Sequence, residues 1–153
     1  MKDWEAAQIS FIEALDIRRY LAEFMPQIYN SDVAGTLNNL GNVRSELREW
    51  EASRVSYIEA LEMYRELAKT QPQVYNFKIA MTLNGLGIVS HKLKNWKTAQ
   101  IYYREALEIY RELAKTKMQV HSCDVAMTLN NLGNLQRELG KLEAALISYN
   151  RIT

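Results

Sequence analysis

The chain has 153 residues, of which 48% are hydrophobic, enough for one compact unit or one short repeat array. Its 19 Lys and Arg against 18 Asp and Glu give a formal net charge of +1, which argues neither for a nucleic-acid footprint nor for binding to an anionic membrane surface. The single cysteine excludes an internal disulfide. No apolar run approaches the roughly 20 residues of a membrane span, and the first 20 residues lack the order of a signal peptide, so we expect a soluble cytoplasmic protein.

The composition favours helices, because Leu, Ala, Glu, Lys and Arg are plentiful whereas glycine and proline number only 6 and 2. The first predicted element is one amphipathic helix within residues 1–29. Its segment FIEALDIRRYLAEF, residues 11–24, returns as YIEALEMYRELAKT at 57–70 and as YREALEIYRELAKT at 103–116. The chain therefore contains a repeat, and the repeat decides the architecture.

The second predicted element is a pair of helices within residues 30–75. Leu37, Leu40 and Leu47 form an apolar stripe at helical spacing on the first of them, which we call helix A. The second, helix B, runs from about Trp50 to Lys69, which corresponds to about 30 Å. The single helix of residues 1–29 matches helix B alone and is therefore half a repeat.

Tryptophan marks the interval of the repeat, since Trp4, Trp50 and Trp96 lie 46 residues apart. The helix A motif TLNNLG recurs at the same interval as TLNGLG and again as TLNNLG. Residues 76–121 therefore form a second full repeat, and residues 122–153 form an incomplete third one. No linker is rich enough in Gly, Ser or Pro to divide the chain, so we expect a single array.

The predicted boundaries between repeats rest on proline and on capping residues. Pro26 and Pro72 discourage continuation of helix B into the next helix A. Asn30, Asn76 and Ser122 are the predicted N-caps of the A helices.

Each helix A contains a glycine, at Gly41, Gly87 and Gly133, where it costs roughly 1 kcal/mol relative to alanine. The residues twelve positions further along, in helix B, are all small: Ser53, Ala99 and Ala145. The pattern predicts that the two helices of a repeat cross closely at these positions.

Together these positions resemble the tetratricopeptide repeat family. In that family helix A carries a large apolar residue and a Leu-Gly pair, and helix B carries a small residue, an aromatic residue and an alanine. The matching residues are Leu37, Leu40, Gly41, Ser53, Tyr57 and Ala60; Leu83, Leu86, Gly87, Ala99, Tyr103 and Ala106; Leu129, Leu132, Gly133, Ala145 and Tyr149; and Ala7, Phe11 and Ala14 in the half-repeat. The period exceeds the usual value of about 34 residues and is similar to that of kinesin-light-chain-like arrays. The resemblance implies an all-α fold, an α-solenoid of antiparallel helix pairs wound into a right-handed superhelix.

The resemblance also implies a binding site, since helix A lines the concave face of arrays in this family. The predicted peptide-binding residues are Asn38, Asn42, Asn84, Ile88, His91, Asn130, Asn134 and Arg137, with Ser45, Asn39, Asn131, Met81 and Met127 beside them. An asparagine amide offers both a donor and an acceptor, so a row of them can bond to the backbone of an extended ligand. The alternative is that these asparagines stay in solvent or bond to their neighbours.

Other kinds of site are not expected. The only basic residues predicted on this face are His91, Lys92 and Arg137, so the lysine-rich carboxylate clamp of some relatives is not predicted. His121 and Cys123 lack a recognised metal-ligand spacing. No nucleophile comes with an evident base and orienting carboxylate, so we expect neither an enzyme nor a cofactor.

The sequence thus predicts a scaffold that binds a protein or peptide, with no nucleic acid or membrane partner. Two alternatives remain open. One is a structural array that assembles with itself through unpaired terminal helices, head to tail or by domain swapping. The other is a fragment of a larger multidomain signalling protein. The residues predicted to lack partners are Ala6, Ile9, Phe11 and Leu15 at one end and Leu142, Leu146 and Tyr149 at the other.

Overall fold

A computed structural model of the chain describes residues 3–152, apart from the side chains of residues 144, 145 and 148–152. In the described part every regular element is a helix and none is a strand. The helices are α1 (Trp4–Phe24), α2 (Pro26–Glu46), α3 (Trp50–Ala68), α4 (Pro72–Lys92), α5 (Trp96–Thr116) and α6 (Met118–Ile152). The predicted all-α fold is confirmed.

The helices form two layers. Each helix packs against the next one along the chain, which gives the antiparallel pairs α2–α3 and α4–α5. Cα atoms of α2 and α4 approach within 8 Å, as do those of α4 and α6, whereas the described parts of α1, α3 and α5 stay further apart from one another. The A helices, α2, α4 and the first part of α6, therefore form the inner layer of a curved array, and the B helices form the outer layer.

Ion pairs link the B helices across the outer layer. The Arg19 guanidinium of α1 lies 2.6 Å from the Glu59 carboxylate of α3, and Arg65 of α3 lies 2.6 Å from Glu105 of α5. The second pair is the first one repeated one period later. All four side chains are substantially exposed to solvent.

The A helices begin earlier than predicted. Helices α2 and α4 start at Pro26 and Pro72, and α6 starts at Met118, four residues before the predicted caps. The prediction of Asn30, Asn76 and Ser122 as N-caps was therefore wrong, since each is the fifth residue of its helix. Proline fits the first turn of a helix because its fixed φ is already helical. It lacks a backbone N–H, but an N–H at this position would have no acceptor within the helix.

The A-to-B turns of the two full repeats share one backbone conformation. Arg48 and Lys94 occupy the same place in successive repeats, and both have a φ of 62°, in the left-handed region. This conformation lets the chain reverse within three residues, from Glu46 to Trp50 and from Lys92 to Trp96.

The predicted apolar stripe forms the core of the full repeats. Leu37, Leu40, Leu83 and Leu86 are all 2% exposed or less. Leu15 of α1 is also buried in this cluster, so the expectation that it lacks a partner was wrong. It packs there because α1 lies against α2 as a B helix does against an A helix.

The predicted close crossing is confirmed in the first full repeat. The Ser53 hydroxyl donates a hydrogen bond of 2.7 Å to the Gly41 carbonyl, so the small residue of α3 touches the glycine of α2. The aromatic residue of the motif uses the same space, since a Cβ at Gly41 would lie 2.7 Å from the Tyr57 ring.

The third repeat differs from the other two. The sequence predicts a helix A followed by the start of a helix B, but α6 is one continuous helix from Met118 to Ile152. Leu142 replaces the tryptophans that pack against the core at Trp50 and Trp96, and it is 42% exposed. A turn at Gly140 would break helical hydrogen bonds, and an exposed Leu142 gives no core packing to compensate for their loss. The backbone therefore stays helical through Gly140.

Candidate functional site

The inner layer places the predicted site residues in one row of helices. Asn38 and Asn42 lie on α2, Asn84, Ile88 and His91 on α4, and Asn130, Asn134 and Arg137 on α6. Their environments differ, which separates the set into buried and accessible members.

Two of the predicted asparagines join neighbouring A helices. Asn38 is 8% exposed, and its Oδ1 accepts a 2.8 Å hydrogen bond from the Thr82 hydroxyl of α4. Asn84 is also buried, and its Oδ1 accepts a 3.3 Å hydrogen bond from the Asn131 amide of α6. These two side chains therefore set the spacing of the inner layer.

A third asparagine is tied to a core tyrosine. Asn42 is exposed, but its Oδ1 accepts a 2.6 Å hydrogen bond from the Tyr57 hydroxyl. Burial raises the pKa of Tyr57 well above its usual value, so this hydroxyl stays a donor.

Tyr57 also explains a gap in the asparagine row. Gly85 stands where the flanking repeats have Asn39 and Asn131, and a Cβ at Gly85 would lie 2.8 Å from Cζ of the Tyr57 ring. The glycine makes room for a ring that reaches from one repeat to the next. The change from NNLG to NGLG is the sequence signal of this contact.

The remaining predicted residues are accessible to a ligand. The exposed ones are Asn39, Met81, Met127, Asn130, Asn134 and Arg137, and the half-buried ones are Ser45, Ile88, His91 and Asn131. The exposed amides therefore lie at Asn130 and Asn134 of α6 and at Asn39 and Asn42 of α2.

A cleft opens between α2 and α4 on the inner side. It has a volume of about 290 Å³ and is lined by Gly35, Asn38, Asn39, Tyr64, Phe77, Lys78 and Met81. The Lys78 ammonium lies 5.6 Å from the centroids of both the Tyr64 and Tyr75 rings, a distance at which the ring faces attract a cation.

Sequence reasoning missed Lys78 and Phe77 in this cleft. The basic residues predicted on the inner face were His91, Lys92 and Arg137, whereas Lys78 is the cation that lines the cleft. Extending the Met81 stripe by one helical turn toward the start of α4 would have reached both residues.

Tyr64 makes the stability of this region sensitive to alkaline pH. Burial raises the pKa of Tyr64 to about 12, whereas the unfolded chain ionises near 10. Stability is therefore fully present below pH 10 and is lost as the pH rises toward 12, because only the unfolded state releases the proton.

We expect the free energy of unfolding from urea titrations to fall between pH 10 and 12, with Tyr64 accounting for about 2 kcal/mol of the loss. The variant Tyr64→Phe should show a shallower fall, while lysine deprotonation affects both proteins alike. Parallel curves for the two proteins would contradict the assignment.

The described residues contain no group of three or more His, Cys, Asp or Glu side chains arranged to hold a metal ion. His121 instead packs against Phe77, with ring centroids 5.3 Å apart and ring planes tilted by 46°, and its Nδ1 lies 3.4 Å from an Asp124 carboxylate oxygen. Cys123 is exposed. His121 thus belongs to the contact between α4 and α6.

Comparison with protein families accounts for the repeat geometry. A tetratricopeptide repeat model matches residues 32–112 and 78–153, which together cover most of the chain. The chain belongs to the tetratricopeptide repeat family. Tetratricopeptide repeats mediate interactions between proteins, and members of the family are typically scaffolds without catalytic activity.

A solved structure shares the architecture of this tetratricopeptide repeat array. The crystal structure of BtubC (BKLC) from P. vanneervenii matches with a TM-score of 0.64 at 23% sequence identity. The match covers 93% of this chain and 55% of that chain, so this chain spans about half the length of BtubC. At this level of identity the similarity shows the fold.

Two further results are negative. No curated protein matches the sequence. Within residues 3–152, none of the helices has both the length and the apolar character needed to cross a membrane.

Proposed function

We propose that this chain binds a peptide segment of a partner protein in the groove formed by α2, α4 and the first part of α6. The cleft of about 290 Å³ between α2 and α4 is the observation that carries the proposal. Met81 and Phe77 give it apolar surface, Asn39 gives it an amide, and Lys78 gives it a positive charge. An apolar cleft with a few polar groups is the usual composition of a ligand site.

Exposed methionines extend this surface along the array. Met81 is 41% exposed and Met127, one repeat later, is 46% exposed. A methionine side chain is flexible and polarizable, so it packs against apolar side chains of varied shape. An extended peptide would place apolar side chains against this pair of methionines.

Polar groups of the groove complement the peptide backbone. The exposed amides of Asn39, Asn130 and Asn134 can each donate and accept a hydrogen bond. Asn42, Ile88, His91 and Arg137 would also contact the ligand, whereas Asn38 and Asn84 hold the A helices in register.

The proposal is tested with a peptide selected from a phage-displayed random library on the full chain. We expect Met81→Asp to weaken binding of this peptide at least about tenfold, or about 1.4 kcal/mol, because it brings a carboxylate into an apolar contact. Binding is measured by fluorescence anisotropy of the labelled peptide.

The matched control is Ile101→Asp on α5, where the side chain is 63% exposed in the outer layer. It introduces the same charge and should change the affinity less than twofold. Equal affinities for the wild-type chain and Met81→Asp, with unchanged circular dichroism, would place the ligand outside the groove.

A further inference from the structure

Opposite charges occupy equivalent places in two successive contacts of the inner layer. Lys78 of α4 and Asp124 of α6 are one period apart in the sequence, and both side chains are half-buried. Lys78 lines the cleft between α2 and α4. Asp124 takes the same place one repeat later, beside the contact between α4 and α6. The repeat thus keeps the position and reverses its charge.

The surroundings of the two charges correspond as well. The Lys78 ammonium lies 5.6 Å from the centroid of the Tyr64 ring of α3. Burial raises the pKa of Tyr110 of α5, and the nearby negative charge of Asp124 raises it further. Tyr64 and Tyr110 are also one period apart. Each charge therefore lies beside the same tyrosine of the adjoining B helix.

Neither charge is neutralised by an ion pair with an oppositely charged lysine, arginine or carboxylate. Among the described residues, no carboxylate lies within 4 Å of the Lys78 ammonium, which faces the rings of Tyr64 and Tyr75. The nearest ring nitrogen to the Asp124 carboxylate is that of His121, at 3.4 Å. A half-buried charge attracts a ligand charge more strongly than one in open solvent, because the effective dielectric constant is lower.

The equivalent place on α2 is less suited to select a ligand charge. Asp32 stands there, but the Arg18 guanidinium donates a 3.4 Å hydrogen bond to its backbone carbonyl. A cation of the chain itself therefore already lies beside this position. The selection of ligand charge rests on α4 and α6.

We propose that the peptide bound in the groove carries an acidic side chain against Lys78 and a basic side chain against Asp124. The inference rests on the proposed function, since it specifies the charges of the same ligand. Packed helices lie roughly 8–10 Å apart, and an extended peptide advances roughly 3.3 Å per residue. The two charges are therefore about three residues apart in the ligand, which distinguishes it from a uniformly acidic or a uniformly basic segment.

The first test uses the wild-type chain and peptides selected on it from a phage-displayed random library. Among the peptides that Met81→Asp weakens, we expect one acidic and one basic residue about three positions apart. A synthetic peptide with these two residues exchanged has the same composition and net charge. It should bind about tenfold more weakly in fluorescence anisotropy, because each ligand charge then meets a like charge.

The second test exchanges the charges of the protein instead. Lys78→Glu combined with Asp124→Lys keeps the net charge and should reverse the preference, so that the exchanged peptide binds more tightly than the original one. The matched control is Lys97→Glu combined with Glu108→Lys, at two exposed positions of α5 in the outer layer. It should retain the wild-type preference, and circular dichroism checks that both variants are folded.

The outcomes separate this inference from the groove itself. A peptide that Met81→Asp weakens but that binds the wild-type chain equally in both charge orders would overturn the inference and leave the groove intact. Peptides that bind unchanged to Met81→Asp would overturn both. A folded charge-exchanged variant that keeps the wild-type preference would contradict the assignment to Lys78 and Asp124. The peptide exchange needs no protein variant, so it decides the matter even if that variant fails to fold.

Discussion

Replacing Tyr103 by alanine is expected to lower the free energy of unfolding by about 3–5 kcal/mol. The side chain is 1% exposed and packs with Ala99, Leu107, Leu132 and Leu135 in one core cluster. Removal of the ring leaves a cavity between the A and B helices that the rigid crossing at Gly87 cannot close. Urea denaturation followed by circular dichroism measures the change.

The matched control for this position is Tyr103→Phe, which keeps the ring. Burial raises the pKa of Tyr103, so the hydroxyl is neutral at ordinary pH and its removal should cost less than about 1 kcal/mol. A loss of less than about 1 kcal/mol for Tyr103→Ala would show that the ring does not fill the space between α4 and α5.

Alanine at Gly87 is expected to destabilise the chain although alanine is the better helix former. Its Cβ would lie 2.4 Å from Cε1 and 2.5 Å from Cδ1 of the Tyr103 ring. Overpacking of this kind costs about 1–3 kcal/mol, and the ring is too enclosed to move away freely. Because the better helix propensity of alanine offsets up to about 1 kcal/mol of this cost, we expect a net loss of up to about 2 kcal/mol in the same urea titration.

Gly35 provides the control for Gly87. It also lies inside an A helix, but the nearest atom to an added Cβ is the Tyr64 hydroxyl at 3.7 Å, an ordinary contact distance. Gly35→Ala should therefore stabilise the chain by up to about 1 kcal/mol. Equal effects at the two glycines would contradict the steric account.

Combining the two core substitutions tests their coupling. In a Tyr103→Ala background, Gly87→Ala no longer meets the ring, so most of its cost should disappear. A full additive cost in the double variant would show that the clash involves some other group.

The repeat made most of the fold predictable. The period and the Leu-Gly, small, aromatic and alanine positions are visible in the sequence because each repeat solves the same packing problem with the same residues. Leu37, Leu40, Leu83 and Leu86 were therefore placed correctly in the core. Helix starts were less predictable, since proline suits the first turn of a helix and asparagine suits the N-cap, and the sequence offers both within five residues.

The site was only partly predictable, because it depends on how far one repeat is offset from the next. The bond between Asn38 and Thr82 joins residues 44 positions apart, and no local pattern reveals which asparagines are used in this way. The continuous course of α6 through Gly140 could not be predicted for a different reason, since glycine fits both a turn and a helix.

The different links within the two layers give the array a preferred direction of bending. Along the outer layer, neighbouring repeats are held by Arg19 with Glu59 and Arg65 with Glu105, and exposed ion pairs of this kind are weak and are screened by salt. Along the inner layer, a buried hydrogen bond at Asn38 and a partly buried one at Asn84 hold the A helices at close range. Mechanically, the array is an elastic strip with a stiff inner edge and a compliant outer edge, so thermal bending alters its curvature while the spacing of the groove residues is preserved.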